Sequence, residues 1–171
     1  MKTNIALIGF MGTGKTAVGR VLAKKLNLKF IEMDALIEQK AGKSIPEIFQ
    51  QDGEIAFREL EIEITKEAAS QKNAVIACGG GIVLNKINID RLRESSRIVY
   101  LTASPETILK RVSTGMGQRP LLEVDDPALT IRNLLKFRKP FYERAADITI
   151  NTSNLVINAV AEEIIEKLAE E

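Results

Sequence analysis

The 171-residue sequence contains no histidine, one cysteine and few aromatic residues, which make up 5% of the chain. Without histidine, the chain cannot form a Ser-His-Asp triad, use an imidazole as a general base or build the usual histidine-containing zinc sites. Any catalysis must therefore use carboxylates, lysine, arginine, hydroxyls, backbone amides or a bound metal. The single Cys78 cannot form an intramolecular disulfide, which is typical of cytoplasmic proteins, so we expect a cytoplasmic location.

The charge and the hydrophobic pattern give no reason to expect two other classes of partner. A net charge of +1 does not favour binding to nucleic acid or to an anionic membrane, and the low aromatic content offers no stacking platform for nucleic-acid bases. The sequence has no long apolar run of the kind that forms a transmembrane helix. We therefore expect small-molecule partners only, with no nucleic acid and no membrane. We also expect a monomer.

Short apolar segments alternate with helix-type segments along the whole chain. Near-continuous apolar strands joined by helical crossovers predict a parallel sheet that is covered on both faces. We therefore predict an α/β fold with three layers, a five-stranded parallel sheet flanked by helices, in a single domain over residues 1–171. The predicted strands are 4–8, 28–32, 74–78, 97–101 and 148–152, and the predicted helices include 16–27, 57–69 and one near the C-terminus.

Two local segments interrupt this alternation. Residues 44–47 read SIPE, which is typical of a capping box with proline in the first turn of a short helix. Residues 113–127 are rich in glycine, proline and charge, so they are a candidate mobile loop or lid.

The strongest motif is GFMGTGKT at residues 9–16, which fits G-x-x-x-x-G-K-[ST] at every fixed position. A predicted strand precedes it and a predicted helix follows it, as a phosphate-binding P-loop requires. Lys15 is expected to reach the β- and γ-phosphates, and the Thr16 hydroxyl to bind Mg²⁺. The alternative is a glycine-rich turn without a ligand. The predicted ATP-binding residues of this segment are Gly12, Thr13, Gly14, Lys15, Thr16 and Ala17.

Two acids, Glu32 and Asp34, lie at the end of the second predicted strand, in the stretch FIEMD. If this stretch is extended, the two side chains point to the same side. The third and fourth predicted strands end without an acid, and the GTPase motifs are absent. Glu32 and Asp34 are therefore expected to face the phosphates, the metal or the molecule that receives the phosphate.

Three further features predict a pocket for a small polyhydroxylated anion. Arg58 lies on a predicted helix, and Arg138 lies shortly before the last strand. Gly79, Gly80 and Gly81 follow the third strand, where an open sheet binds ligands and where a substrate can approach the backbone closely. The arginines suit a carboxylate, and acids and backbone amides suit hydroxyls.

Each of these features also has a simpler structural interpretation. Asp34 could cap the following helix, and Glu32 could be a solvated acid at a strand end. Arg58 could be a surface partner of nearby glutamates, Arg138 a charge near a helix end and residues 79–81 a plain turn.

The order of these motifs resembles the shikimate kinase family over essentially the whole chain. The motifs are GFMGTGKT, the strand-end acid of FIEMD, FRELE, GGG, RPLL and RKPFYERAAD. The resemblance implies a P-loop kinase fold, with an acceptor-binding segment at about residues 33–61 and the lid at 113–127. It also implies transfer of the γ-phosphoryl group of ATP, with Mg²⁺, to the 3-hydroxyl of shikimate in aromatic amino acid biosynthesis.

The resemblance also implies roles for individual residues. Asp34 would bind ring hydroxyls of the acceptor, Arg58 and Arg138 would hold its carboxylate, and Gly80 would contribute a backbone contact. Arg119, in the RPLL segment, would close over the phosphates, and Arg111 would lie near the adenine. The implied catalytic residues are Lys15, Asp34 and Arg119, and the implied substrate-binding residues are Asp34, Arg58, Gly79, Gly80, Gly81 and Arg138.

The sequence departs from the family at one position. The family usually has D-x-D at the end of the second strand, whereas this chain has Glu32 at the first acidic position. The first acid normally contacts the metal through water, so Glu32 is expected to do so with a longer side chain.

Two rival interpretations stay open. One is a small-molecule kinase with another acceptor, such as a sugar acid. The other is a nucleotide-binding regulatory module without turnover. For Arg111 and Arg119, the simpler interpretations are a solvated helix face and an ordinary loop arginine.

Overall fold

The computed structural model describes residues 1–114, 124–154 and 156–170. The strands are β1 (Asn4–Ile8), β2 (Lys29–Glu32), β3 (Ala74–Ala77), β4 (Ser96–Thr102) and β5 (Ile148–Asn151). The helices are α1 (Lys15–Leu26), α2 (Met33–Ala41), α3 (Ile45–Gln51), α4 (Gly53–Ala69), α5 (Lys86–Ser95), α6 (Pro105–Thr114), α7 (Pro127–Ala145) and α8 (Ile157–Ala169), with a 3₁₀ turn at Ile82–Leu84.

The five strands form one parallel sheet in the order β2-β3-β1-β4-β5. This confirms the predicted α/β fold and the predicted parallel pairing. Strand β1 lies at the centre, between β3 on one side and β4 on the other. The crevice at the carboxyl end of a strand where the order of the sheet reverses is the usual ligand site in such folds. The residues that follow β1 are therefore placed at that crevice.

Side chains alternate between the two faces of the central strand, and both faces are covered. Ala6 and Ile8 pack into a core that includes Ile64 of α4. Ile5 and Leu7 point to the opposite face, into a core built with α1 and α8. All five residues of β1 are buried. A strand that is buried on both faces has an apolar run rather than an alternating pattern, which explains the sequence of β1.

The short helix α3 begins as the sequence predicts. The Ser44 hydroxyl oxygen accepts a hydrogen bond from the backbone N–H of Glu47 at 3.3 Å, and proline occupies the first turn. The backbone N–H of Ile45 donates to the carboxylate of Glu38 in α2 at 2.8 Å, and the side chain of Ile48 is fully buried. These contacts join α2 and α3 next to the crevice.

The structure describes only the two ends of the predicted lid. Residues 113–114 end α6, and residues 124–127 run to the first residue of α7. The rest of the predicted lid, including Arg119, lies outside the described residues. Within the described parts of the chain, none of the helices combines the length and the apolarity that crossing a lipid bilayer requires.

Candidate active site

The segment 9–16 connects β1 to α1, so the structure places the predicted phosphate-binding loop in its expected context. Gly9, Gly12 and Gly14 have φ angles of 149°, 78° and 96°, which L side chains rarely adopt. The hydroxyl of Thr13 donates to the carbonyl of Phe10 at 2.8 Å and closes the loop. Gly14 occupies the N-cap position of α1 and has no side chain, so the first turn of the helix is open to an anion.

Lys15 folds over this loop. Its Nζ donates to the carbonyl oxygens of Gly9 at 2.6 Å and of Phe10 at 2.9 Å. Burial lowers the pKa of Lys15 from its ordinary value to about 8, and the nearby Asp34 carboxylate opposes that change. The ammonium group is therefore a positive charge in a poorly solvated place, where a phosphate group would be a strong partner.

Glu32 lies beside the first turn of α1. The Thr16 hydroxyl donates to Oε1 of Glu32 at 3.0 Å, and Nη2 of Arg20 lies 3.6 Å from Oε2 of the same carboxylate. Glu32 is only partly exposed, at 29%, so the interpretation of a merely solvated acid does not describe it. Arg20 was not among the residues singled out from the sequence.

The stretch FIEMD is not extended throughout, so the condition under which Glu32 and Asp34 would point to the same side of a strand is not met. Strand β2 ends at Glu32, and α2 begins at Met33. The side chain of Met33 is fully buried, so the chain turns into the helix there, and Asp34 lies in the first helical turn. The interpretation of Asp34 as the N-cap is wrong, because Glu32 occupies the N-cap position. Asp34 nevertheless lies close to Lys15 and Glu32, since their charges act on its pKa.

Asp34 and Glu61 meet at the first glycine of the 79–81 loop. A Cβ atom added to Gly79 would lie 3.1 Å from Oδ1 of Asp34 and 3.2 Å from Oε2 of Glu61. Burial raises the pKa of both carboxyls. The charge of Lys15 opposes this rise at Asp34, and the charge of Arg58 opposes it at Glu61. Oε2 of Glu61 is buried and has no hydrogen-bond partner within the described residues. Two acceptor groups are thus directed at one place.

Arg58 is held beside the last glycine of the loop. Its Nη1 donates to Oε1 of Glu61 at 2.9 Å, and its Nε lies 3.5 Å from Oε1 of Glu54. The Arg58 side chain is 17% exposed and Glu61 is 1% exposed. A Cβ atom added to Gly81 would overlap the Arg58 guanidinium. Arg58 thus pairs with two nearby glutamates, but it lies against the loop rather than in solvent, so the interpretation as a surface partner alone does not describe it.

Arg138 approaches the middle glycine from α7. Its Nη1 would lie 3.7 Å from a Cβ atom added to Gly80, and its guanidinium lies 5.6 Å from the ring centroid of Phe10. One turn further along α7, the hydroxyl of Tyr142 donates to the carbonyl of Gly80. Burial raises the pKa of Tyr142 to about 12, so the phenol stays protonated at neutral pH. The sequence analysis did not assign Tyr142 to the site, although its spacing of four residues from Arg138 places both on one helix face.

Arg111 lies on α6 beside the phosphate-binding loop. Its Nη1 donates to the carbonyl of Gly12 at 3.2 Å and to the hydroxyl of Thr152 at 3.0 Å. Its Nη2 donates to the carbonyl of Thr152 at 2.7 Å. The interpretation of Arg111 as a solvated residue is therefore wrong. The adenine contact that the resemblance implies stays a prediction.

Thr16 and Glu32 provide the kind of atoms that Mg²⁺ prefers. Both offer oxygen, and their side-chain oxygens lie 3.0 Å apart at the start of α1. Within the described residues, no group of three or more aspartate, glutamate, cysteine or histidine side chains could hold a metal. Mg²⁺ usually binds one or two protein groups together with water and substrate phosphates. The residues therefore fit a metal that arrives with a nucleotide.

The geometry unites two half-sites across one crevice. On one side are the phosphate-binding loop and Lys15, and on the other side are two arginines and two acids around residues 79–81. Such an arrangement can hold a phosphate chain next to a small anion that carries hydroxyl groups.

Two sequence comparisons with known proteins agree with each other. A family model for shikimate kinase matches residues 11–169. A shikimate kinase from Caldanaerobacter subterraneus subsp. tengcongensis is 51% identical over 162 residues, which cover 95% of this chain and 94% of the relative. A shikimate kinase from Thermoanaerobacter pseudethanolicus is 48% identical over 162 residues, with the same coverage of 95% and 94%.

A solved structure agrees with these sequence matches. The shikimate kinase from Acinetobacter baumannii in complex with shikimate has a TM-score of 0.94 and 38% sequence identity to this chain. The match covers 99% of this chain and 94% of that one. The chain belongs to the shikimate kinase family.

Proposed function

We propose that this protein transfers the γ-phosphoryl group of ATP to the 3-hydroxyl of shikimate and releases ADP and shikimate 3-phosphate. The reaction belongs to the shikimate pathway of aromatic amino acid biosynthesis. The observation that carries the proposal is the convergence of Arg58, Arg138 and Asp34 on residues 79–81, opposite the phosphate-binding loop, in a chain of this family.

The acceptor half-site suits the chemistry of shikimate, which has one carboxylate and several ring hydroxyls. Arg58 and Arg138 approach the glycine loop from different helices, so together they can hold a carboxylate. Asp34 and Oε2 of Glu61, which has no hydrogen-bond partner among the described residues, can accept hydrogen bonds from hydroxyls. Gly79 and Gly81 leave room for Asp34, Glu61 and Arg58 to lie against the backbone of the loop.

The reaction breaks the bond between the γ-phosphorus and the β–γ bridging oxygen and forms a bond from the acceptor oxygen to that phosphorus. The protein mainly positions the reactants and neutralises charge, because the transition state is loose. Lys15 would exchange the carbonyls of Gly9 and Phe10 for phosphate oxygens. Asp34 would orient the acceptor hydroxyl and receive its proton, a role helped by the burial that raises its pKa.

The remaining assignments complete the proposal. Mg²⁺ would be held by Thr16 and, through water, by Glu32, and it would neutralise charge on the phosphates. Arg111 would contact the nucleotide, and Arg119 would close over the phosphates. Exclusion of water at that stage would protect ATP from hydrolysis without an acceptor.

The proposal is tested by measuring ADP release from ATP and Mg²⁺ with shikimate, gluconate, a panel of nucleoside monophosphates, and no acceptor. We expect turnover with shikimate far above the blank. Turnover with another acceptor alone would overturn the assignment of Arg58 and Arg138. ATP binding without turnover on any acceptor would favour a regulatory module.

A further inference from the structure

The first residue after β5, Thr152, connects three elements around the phosphate-binding loop. Thr152 is 2% exposed. Its hydroxyl oxygen lies 2.9 Å from the carbonyl of Thr102 at the end of β4 and 3.1 Å from the carbonyl of Thr13 in the loop. Arg111 of α6 donates to this hydroxyl at 3.0 Å and to the Thr152 carbonyl at 2.7 Å. The backbone N–H of Thr152 donates to Thr102 at 2.7 Å.

The network restricts the orientation of the Thr152 hydroxyl to two choices. A threonine hydroxyl carries one proton and two lone pairs. Because Arg111 can only donate, the proton must point to the carbonyl of Thr13 or to that of Thr102. A valine side chain has nearly the same shape as threonine but can neither donate nor accept. The contacts of the Thr152 side chain with Arg111, Thr13 and Thr102 therefore depend on one oxygen atom, whereas the backbone contacts of Thr152 do not.

The contact with Thr13 sets the direction of a backbone amide. In a planar trans peptide, the carbonyl and the following N–H point to opposite sides. When Thr152 holds the Thr13 carbonyl, the N–H of Gly14 is turned away from Thr152, toward the inside of the loop. The Gly12 carbonyl is held on the same side by Arg111 at 3.2 Å. Two consecutive carbonyls are thus fixed from outside the loop.

The same network sets the plane of the Arg111 guanidinium. Three hydrogen bonds, two to Thr152 and one to Gly12, occupy the edges of the group. A guanidinium that is held by its edges keeps its flat faces available, and such faces stack on aromatic rings and nucleobases. The plane of the Arg111 guanidinium is therefore fixed without a nucleotide.

We propose that Thr152 is a positioning residue for ATP binding. It sets the direction of the Gly14 N–H and the plane of the Arg111 guanidinium before the nucleotide binds. The inference rests on the proposed function for the identity of the nucleotide and does not depend on the acceptor. Thr152 does not need to touch the nucleotide itself.

Thr152→Val removes the oxygen and Thr152→Ser keeps it. Thr149→Val is the control: it is the same substitution at an exposed position of β5, the strand that precedes Thr152. ATP binding is measured by calorimetry without acceptor, and KM values for ATP and shikimate are measured by ADP release. For Thr152→Val we expect ATP binding to weaken about fivefold to tenfold, with a matching rise in the KM for ATP and an unchanged KM for shikimate. Thr152→Ser and Thr149→Val should stay within about twofold of the unchanged protein.

Three results would overturn the proposal: ATP binding by Thr152→Val equal to that of the unchanged protein, equal losses for the Ser and Val variants, or equal rises in the two KM values. If Thr152→Val does not fold, Arg111→Lys replaces it, because lysine keeps the charge but loses the planar set of donors. A similar loss of ATP affinity supports the proposal, and an unchanged affinity refutes it. Since calorimetry needs no acceptor, a lack of turnover with shikimate would refute the proposed function and leave this test intact.

Discussion

Replacing Gly81 with alanine tests the position of Arg58 without removing any charged group. Gly81 has φ −95° and ψ 9°, a backbone conformation that alanine can adopt. The added Cβ atom would lie 2.6 Å from Nη2 and 2.8 Å from Cζ of Arg58. Ordinary contacts between such atoms are about 3.5 to 4 Å, so the guanidinium must move by about 1 Å.

The structure indicates how much this movement costs. Arg58 is held at 2.9 Å by Glu61 and lies 3.5 Å from Glu54, so it has little freedom to shift while keeping its direction. A hydrogen bond to a charged group is worth about 1.5 to 3 kcal/mol, which corresponds to about a tenfold to hundredfold change in affinity. We therefore expect Gly81→Ala to raise the KM for shikimate by about tenfold to a hundredfold, with little change in the KM for ATP.

The assay is the initial rate of ADP release, with thermal unfolding as the control for an intact fold. A double-mutant cycle isolates the cause: in an Arg58→Ala background, Gly81→Ala should have no further effect on the KM for shikimate, because the group it displaces is gone. A normal KM for shikimate in the single variant would refute the reasoning. An equal rise in both KM values, or a double variant worse than Arg58→Ala, would also refute it.

Three other variants or conditions test other parts of the site. Tyr142→Phe should raise the KM for shikimate about fivefold, because it leaves the Gly80 carbonyl without its phenol donor. Tyr100→Phe is the control and should leave this KM unchanged, since the Tyr100 ring only stacks on that of Tyr142, with the ring centroids 4.9 Å apart. Steady-state kinetics measure both variants. Affinity for ATP should fall as pH rises through about 8, because the pKa of Lys15 is lowered to about 8 and the neutral amine no longer attracts phosphate; calorimetry at increasing pH measures this. Glu32→Gln should raise the Mg²⁺ concentration for half-maximal rate about tenfold, as measured by titration of the metal.

Each of these predictions has a clear contrary outcome. Equal effects of the two tyrosine variants would show that general packing, not the bond to Gly80, is responsible. An ATP affinity that stays constant from about pH 7 to about pH 10 would contradict the lowered pKa of Lys15. An unchanged Mg²⁺ requirement in Glu32→Gln would remove Glu32 from the metal site.

Most of the fold could be predicted from the sequence because its signals are local. The apolar runs of the five strands and the loop 9–16 are continuous in the chain, so each was located within one or two residues. Arg58 and Glu61 are one helical turn apart, and their contact follows from helix geometry. The capping of α3 by Ser44 is equally local.

The contacts that the sequence did not predict join distant parts of the chain. Tyr142 and Gly80 are 62 residues apart, and Thr152 and Thr13 are 139 residues apart. No periodicity connects such pairs, because they meet only when the sheet and its helices are assembled. The sequence left the conformation at Asp34 open for another reason: two acids that are two residues apart are compatible both with an extended stretch and with the start of a helix.

The most direct test of the central claim is to identify the product formed from ATP, Mg²⁺ and shikimate by phosphorus NMR and mass spectrometry, together with the amount of ADP released. The account predicts one phosphoryl group transferred for each ADP, attached to the 3-hydroxyl of shikimate. Release of ADP and free phosphate at the same rate with and without shikimate would contradict it, as would a phosphoryl group on a different hydroxyl.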